Sequence, residues 1–405
     1  MISSITIKGF KSIIDQTISL GRLNVLIGAN GSGKTALLEA IGVLGCAVEG
    51  RVDDVALLRR GVRPGVPDLY KSAFRDVRVR RRLITLSAKT DDKNPASYLI
   101  TLDKPTDEAT APWRINHEAK MLGKRKQITR GPRGANIWGP KNRKVSIKTD
   151  PTRSLAHVTS PFGPEPRELD ELLSWLQGFA IFDPQTPVLR GTENDMLQRD
   201  PLGLHGGRLA ETVQQLLHNG FFGVMKKEDL LEILDWVEAI GVATPTRELI
   251  SPSIPAAQRV LRFTDKYMRR AQNELSGYDA SEGSLYVLFA LALVFHPRSP
   301  GFFALENIDH ALHPLLARKL VENLCVFVRG ADRQVLVTTH NPLVLDGLRL
   351  ADDAIRLFTV SRSFGGHTEV RRVEYSDALA KAEAKNMTLS QMWTTGVLGA
   401  VPNLA

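Results

Sequence analysis

Residues 28–35 read GANGSGKT and constrain the fold more than any other part of the chain. They match the pattern G-x-x-x-x-G-K-[ST] at every fixed position. The apolar run 23–27 before them is suited to a buried strand, and the apolar stretch 36–44 after them is suited to a helix. In that context the N–H groups of the loop and the N-terminus of the helix surround a phosphate group.

This pattern predicts a nucleoside triphosphate site. We expect the Lys34 ammonium group to reach the β- and γ-phosphates and the Thr35 hydroxyl to ligate Mg²⁺. The cofactors predicted from the motif are therefore ATP and Mg²⁺. The loop residues predicted to bind the nucleotide are Gly28, Ala29, Asn30, Gly31, Ser32, Gly33, Lys34 and Thr35.

The charge of the chain is unevenly distributed. Its 405 residues include 53 Lys and Arg against 44 Asp and Glu, a net charge of +9. Residues 111–150 hold 11 Lys and Arg against 2 Asp and Glu. Two interpretations stay open: a solvated surface, or a face that contacts the phosphate backbone of nucleic acid.

Cysteine usage and hydropathy indicate the compartment. Cys46 and Cys325 both lie in apolar helical runs, which favours buried thiols in a reducing compartment. The N-terminus lacks the layout of a signal peptide, and the longest apolar run, 285–295, is too short to span a bilayer. We expect a cytoplasmic protein with no membrane partner.

Hydrophobic periodicity divides the chain into four parts. Residues 77–88 and 97–103 alternate and predict strands, and residues 110–150 predict an antiparallel β-insertion with loops. Residues 168–179, 212–219, 227–240 and 259–275 show helical spacing and predict a helical lobe. The predicted parts are the N-terminal core (1–75), a β-rich basic insertion (76–165), the helical lobe (166–275) and the C-terminal core (276–405).

Three segments of the last part complete a candidate site. Glu306 ends an apolar strand, where a carboxylate can hold Mg²⁺ beside a phosphate loop. His340 ends another buried strand and is placed to donate a hydrogen bond to a γ-phosphate. Ser281 and Gly283 precede the apolar helix 285–295, and a helix N-terminus is an anion site. Each segment alone is a weak signal, but together and in this order they indicate one site.

In these segments the chain resembles the ABC-type ATPase heads of the RecF/SMC/OLD class. Within this class, it specifically resembles the compact AAA family ATPases found with bacterial phage-defence systems. ITIKGFKS (5–12) resembles the family's I-x-I-x-N-F-R-S start, and GANGSGKT its Walker A motif. SEGS (281–284) resembles the short signature, LENIDHALHP (305–314) the Walker B and D-loop region, and VTTHNPLVLD (337–346) the switch-histidine strand. The run FDPQTPVLR (182–190) resembles a mid-chain segment.

The resemblance implies an α/β fold, that of a P-loop ABC-type ATPase head with a mixed core sheet, an antiparallel β-insertion and a helical lobe. It also implies a site shared by two chains. Two heads would dimerise face to face with ATP between them, as a homodimer or higher homo-oligomer. Ser281 and Gly283 would then contact the nucleotide held by the other copy. Thr35 and Glu306 would hold the metal. The implied catalytic residues are Glu306, Asn307, Asp309 and His340.

One position departs from the family pattern. Alignment on His313-Pro314 places Asn307 where the family has the glutamate that polarises the attacking water. An amide cannot accept a proton. Either hydrolysis is slow and ATP closes a dimer that persists, or Asp309 or His310 positions the water instead.

Three functions fit these observations. The leading hypothesis is a nucleotide-gated sensor or clamp that controls a separate effector, a nuclease or toxin, in phage defence. Residues after His340 show no acidic cluster of the kind that holds two metals in a Toprim nuclease, so we expect the effector to be another chain. One alternative is a RecF-like DNA-repair ATPase that binds nucleic acid through 111–150. The other is an assembly scaffold locked by ATP.

Overall fold

The computed structural model describes residues 1–75, 83–105, 111–158, 160–218, 227–376 and 387–398. The strands are β1 (Ile2–Phe10), β2 (Ile13–Ser19), β3 (Leu23–Ile27), β4 (Ile84–Thr90), β5 (Ala96–Asp103), β6 (Arg114–Leu122), β7 (Arg125–Gly131), β8 (Gly134–Trp138), β9 (Lys144–Ile147), β10 (Ile181–Phe182), β11 (Val237–Ala243), β12 (Val260–Asp265), β13 (Glu274–Ser276), β14 (Phe302–Leu305), β15 (Gln334–Thr339), β16 (Ile355–Arg362) and β17 (Thr368–Val373). The helices are α1 (Lys34–Glu49), α2 (Asp54–Leu58), α3 (Arg167–Gly178), α4 (Thr186–Leu189), α5 (Leu209–His218), α6 (Lys227–Ile233), α7 (Glu282–Phe295), α8 (Pro314–Gly330) and α9 (Leu389–Thr394).

A six-stranded sheet in the order β10-β14-β15-β3-β16-β17 forms the centre of the fold. Its first five strands are parallel, and β17 pairs antiparallel with β16. One face packs against α1 and α3, and the other packs against α5, α7 and α8. Cover on both faces explains why every residue of Leu23–Ile27 is buried. Because parallel strands end at one edge, the segments after β3, β14 and β15 meet there.

An eight-stranded antiparallel sheet, in the order β2-β1-β4-β5-β6-β7-β8-β9, carries the basic insertion. The predicted antiparallel arrangement is confirmed, and the insertion continues the N-terminal hairpin as one sheet. The strand predicted over 97–103 is β5. Of the strand predicted over 77–88, the first part lies outside the described residues, and β4 begins at Ile84.

The lobe after the insertion is only partly helical. The helices predicted over 168–179 and 212–219 are α3 and α5. The helix predicted over 259–275 is wrong, because β12 and β13 lie there and pair with β11 in a three-stranded antiparallel sheet. The prediction for 227–240 is wrong in its second half, which is β11. Apolar residues at short spacing fit the period of a helix as well as that of a strand. Pairing between the strands decides which of the two structures forms. The four-part division stays a prediction.

Two further observations concern the predicted compartment. Cys46 and Cys325 are free thiols buried in α1 and α8. Burial raises the pKa of the Cys46 thiol to about 12 and that of Cys325 to about 11. Among the described residues, no helix has the length and apolar character needed to cross a bilayer.

Candidate functional site

The glycine-rich loop joins β3 to α1 and is anchored from the far end of the chain. Gly33 has a φ of 112°, which favours glycine, and a Cβ there would overlap the Thr368 side chain. The Thr368 hydroxyl donates to the Ser32 carbonyl at 2.8 Å, and Arg362 Nε donates to the Gly31 carbonyl at 2.9 Å. The hairpin of β16 and β17 therefore fixes the shape of the loop.

Lys34 is the first residue of α1 and is almost fully buried. Its ammonium group donates to the carbonyl of Gly28 at 2.6 Å and to that of Ala29 at 3.1 Å. Burial lowers the pKa of Lys34, and the carboxylates of Glu306 and Asp309 partly offset this effect. A cation held in the loop with little solvent around it is suited to a phosphate group.

Glu306 follows β14 and reaches the neighbouring phosphate loop. The Thr35 hydroxyl donates a hydrogen bond to its Oε1. Burial raises the pKa of Glu306, the Thr35 hydrogen bond opposes the rise, and the nearby Asp183 adds to it. Two groups predicted from distant parts of the sequence as metal ligands thus lie in contact.

These donors fit Mg²⁺ bound together with a nucleotide. Carboxylate and hydroxyl oxygens are the ligands that Mg²⁺ prefers, and in triphosphate sites the protein supplies few of them. The described part of the chain holds no group of three or more His, Cys, Asp or Glu residues that would cage a metal alone. The Ser32 hydroxyl is buried and has no hydrogen-bond partner among the described residues. A phosphate oxygen bound in the loop could accept its hydrogen bond.

The loop, Glu306 and Asn307 line an open cleft of about 760 Å³, here called the nucleotide cleft. Asn307 has a φ of 51°, and its backbone N–H donates to Thr338 Oγ1 at 2.9 Å. Its neighbour Asp309 is buried, and the Asp309 Oδ2 atom lies 3.8 Å from Nε2 of the half-exposed His340. The four predicted catalytic residues therefore lie at one edge of the sheet.

A family model described as "AAA domain, putative AbiEii toxin, Type IV TA system" matches residues 141–346, half of the chain. A second, described as "AAA ATPase domain", matches residues 1–45. The chain belongs to the first AAA family. Its fold is that of a P-loop ABC-type ATPase head, and family membership supports ATPase activity with ATP and Mg²⁺. No curated protein matches the chain.

Solved structures of SMC heads share the fold of this AAA ATPase. One, the SMC head bound to the C-winged helix domain of ScpA, has a TM-score of 0.51 at 12% identity, covering 94% of this chain and 99% of that one. Another is an SMC head with an extended coiled coil, bound to the C-terminal domain of ScpA, from Pyrococcus furiosus. It has a TM-score of 0.50 at 13% identity, covering 95% and 99%.

The two predicted signature residues lie apart from the cleft of their own chain. Ser281 is exposed at the N-terminus of α7, and its hydroxyl makes no capping hydrogen bond. Gly283 packs against the loop that holds Ala311 and Leu312. Neither Ser281 nor Gly283 lines the nucleotide cleft. Their action on the nucleotide of another copy stays a prediction.

A hydrogen-bond chain connects α7 to the other motifs. The Tyr286 hydroxyl donates to the Pro184 carbonyl at 2.9 Å and lies 2.9 Å from His310 Nδ1. The Thr186 hydroxyl donates to the Glu282 carboxylate. His310, an alternative for positioning water, is therefore engaged with α7.

The sequence analysis missed four residues around the cleft. Glu39 is fully buried in α1, where its carboxylate pairs with Lys11 and with Arg63, whose Nε donates to it at 2.9 Å. Asp183 follows β10 beside Glu306, and burial raises its pKa. A glutamate within the apolar sequence of α1 and a carboxylate directly after a short apolar run were the available signals.

Proposed function

We propose that the protein is a nucleotide-gated switch that controls a separate effector. Two copies close over ATP, the closed dimer persists because hydrolysis is slow, and the closed form signals to another protein in phage defence. The description of the matching family supports the proposal of an effector, because it names a toxin and a toxin–antitoxin system. In the two solved structures of this fold, a domain of ScpA is bound to the head.

Asn307 carries the proposal. It lines the nucleotide cleft directly after Glu306, where water would attack. Its side-chain amide can orient water by a hydrogen bond but cannot take a proton from it. Lys34 supplies a cation for the phosphates, and Thr35 and Glu306 supply the two predicted metal ligands. Together these residues favour stable binding of ATP and Mg²⁺ over fast turnover.

Asp309 is a weaker candidate for the missing base. It is buried, and its Oδ2 atom faces His340, while Oδ1 has no hydrogen-bond partner among the described residues. Its negative charge acts on Lys34. We infer that Asp309 stabilises the ammonium group and His340, and that neither residue restores the proton transfer lost at position 307.

The backbone at Asn307 offers a competing explanation for the residue type. Asparagine tolerates a positive φ better than glutamate does, by about 1 kcal/mol. The matched pair Asn307→Glu and Asn307→Gln separates the two explanations. Both side chains have the same length and the same backbone cost, but only the glutamate accepts a proton.

The test measures ATP turnover and molar mass in solution. The unmodified protein should become dimeric with Mg²⁺ and ATP and remain so. Asn307→Glu should raise turnover by about 100-fold, the usual contribution of a general base, and should shorten the dimer's lifetime. Asn307→Gln should change neither. Equal turnover in the two variants, with activity lost only in Asp309→Ala, would contradict slow hydrolysis. Closed assemblies larger than a dimer would favour the scaffold.

A further inference from the structure

Exposed cations concentrate at one end of the antiparallel sheet. Of the 11 Lys and Arg in residues 111–150, nine are exposed. Six of these nine belong to two short segments, 124–126 and 141–144. We call this surface the basic end; its cations are Lys124, Arg125, Lys126, Lys141, Arg143 and Lys144.

Strand direction explains the clustering. β6 and β8 run towards this end of the sheet, and β7 and β9 start from it. The turn between β6 and β7 and the turn between β8 and β9 therefore lie side by side. Arg114, Arg133 and Lys148 occupy the opposite end, together with Asp150, the exposed carboxylate of the region.

The cations of the basic end differ in their partners from the two buried cations of the same region. In the part of the chain that the structure describes, none of the six cations of the basic end forms an ion pair. The two buried cations of the region do form ion pairs. Lys120 pairs with Glu165, and the Arg130 Nη1 atom lies 3.4 Å from the Glu118 Oε2 atom. Asp91 and Asp92, in the turn between β4 and β5, bound the basic end on its β6 side.

Aromatic rings hold three of the cations in place. The ammonium groups of Lys126 and Lys144 lie 5.4 and 5.8 Å from the centre of the Trp138 ring and come from the strands on either side of it. Trp138 Nε1 donates to Thr129 Oγ1 at 2.9 Å, which fixes the ring. The Arg143 guanidinium group lies 5.9 Å from the centre of the Phe162 ring. These contacts order the cations without neutralising their charge.

We propose that the basic end binds the sugar-phosphate backbone of duplex DNA. Unpaired, ordered cations on an open surface complement a dense row of phosphates. The Trp138 ring is already in contact with two ammonium groups, at 5.4 and 5.8 Å from its centre, so it serves to position cations. Single-strand binding would instead need a free ring on which a base can stack. The inference goes beyond the nucleotide-gated switch and does not depend on it, because no residue of the basic end lines the nucleotide cleft.

Two triple variants with equal charge change test the proposal. The first is Lys126→Gln, Arg143→Gln and Lys144→Gln at the basic end. The matched control is Arg114→Gln, Arg133→Gln and Lys148→Gln at the opposite end. All six side chains are exposed, so both variants should fold, and thermal melting with ATP binding checks this. Fluorescence anisotropy of a labelled duplex of about 30 base pairs, at several salt concentrations from about 50 to 200 mM, gives the affinity and its salt dependence.

The basic-end variant should lose at least about tenfold in affinity, and the slope of log K against log salt should become shallower by roughly 2 to 3. The control should stay within about threefold of the unmodified protein. Equal losses in both variants would show a diffuse effect of net charge and overturn the proposal, as would no loss in either. Tighter binding of a single strand of the same length would also overturn it. The proposal would also be overturned if polyglutamate displaced the labelled duplex as efficiently as unlabelled duplex does, because the natural ligand would then be an acidic protein.

Discussion

The nucleotide cleft and the basic end treat charge in opposite ways. In the cleft, Glu39 is fully buried between Lys11 and Arg63, and Glu306 accepts a hydrogen bond from Thr35. At the basic end the cations are exposed and have no ion-pair partner among the described residues. The charged groups of the cleft therefore lose their hydration when the protein folds, whereas the cations of the basic end stay hydrated until a ligand binds.

The difference teaches what each surface can recognise. Charges fixed in a buried network act at short range, are little affected by salt and select one geometry. Exposed cations act over about 10 Å, are screened by salt and tolerate many arrangements of phosphates. We infer that the cleft is built for one small ligand, and that the basic end is built for a long, repetitive one.

The largest effect should come from removing the buried cation of the cleft. Lys34→Ala leaves the Gly28 and Ala29 carbonyls without their donor and the phosphates without a counter-charge. We expect ATP affinity to fall by about 100-fold or more, the usual result of truncating a buried charged partner. Titration calorimetry with ATP and Mg²⁺ measures it.

Lys124→Ala at the basic end provides the control for Lys34→Ala. It removes the same charge from an exposed position and should leave ATP affinity unchanged. Lys34→Ala should in turn leave the binding of duplex DNA unchanged. A similar loss of ATP affinity in both variants would break the distinction between the two regions, because it would make the cleft as dependent on general charge as the basic end.

A second, intermediate effect concerns stability. Lys11→Met keeps most of the length of the side chain but leaves the fully buried Glu39 carboxylate without one of its two cations. Breaking a buried ion pair from one side costs about 3 kcal/mol of unfolding free energy. Denaturation with urea measures it, with Asp15→Asn as the control, since the Lys8–Asp15 pair is half exposed and should contribute less than about 1 kcal/mol. Equal losses of unfolding free energy in the two variants would show that burial does not make the ion pairs of Glu39 more important than the exposed Lys8–Asp15 pair.

The central sheet could be predicted from the sequence in detail. The strand predicted over 23–27 is β3, and the helix predicted after the phosphate loop begins at Lys34, two residues before the predicted apolar stretch. These elements are buried on both sides, so their apolar runs are long and unambiguous. The error at 259–275 arose where strands are short and pair only with their neighbours, because such pairing leaves little trace in local periodicity.

The sequence predicted the motif residues of the site but not the residues that hold them in place. Thr35 was identified because it occupies the last position of the phosphate-loop motif, and Glu306 because it ends an apolar strand. The pairing of Lys11 and Arg63 with Glu39, and the anchoring of Ser32 by Thr368, join residues far apart in the sequence. No local pattern records such contacts, since they depend on which loops the sheets bring together.

The smallest effect should appear in the pH dependence of metal binding. Glu306 must be ionised to hold Mg²⁺, and burial raises its pKa above that of an ordinary glutamate. The gain in ATP affinity that Mg²⁺ provides should therefore shrink severalfold as the pH falls towards about 5, where an exposed glutamate is still mostly ionised. Affinity measured with Mg²⁺ and with a chelator, at each pH, gives this gain.

Thr35 offers a way to move the midpoint of that pH dependence. Its hydroxyl lowers the pKa of Glu306, so Thr35→Val should shift the midpoint to higher pH, and Thr35→Ser, which keeps the hydroxyl, should not. Acid unfolding would not mimic the effect: a carboxyl whose pKa is raised by folding stabilises the folded state as the pH falls. A gain that is independent of pH would show that Glu306 is as well hydrated as the charges of the basic end. An unchanged midpoint in Thr35→Val would show that the Thr35 hydroxyl does not stabilise the ionised form of Glu306.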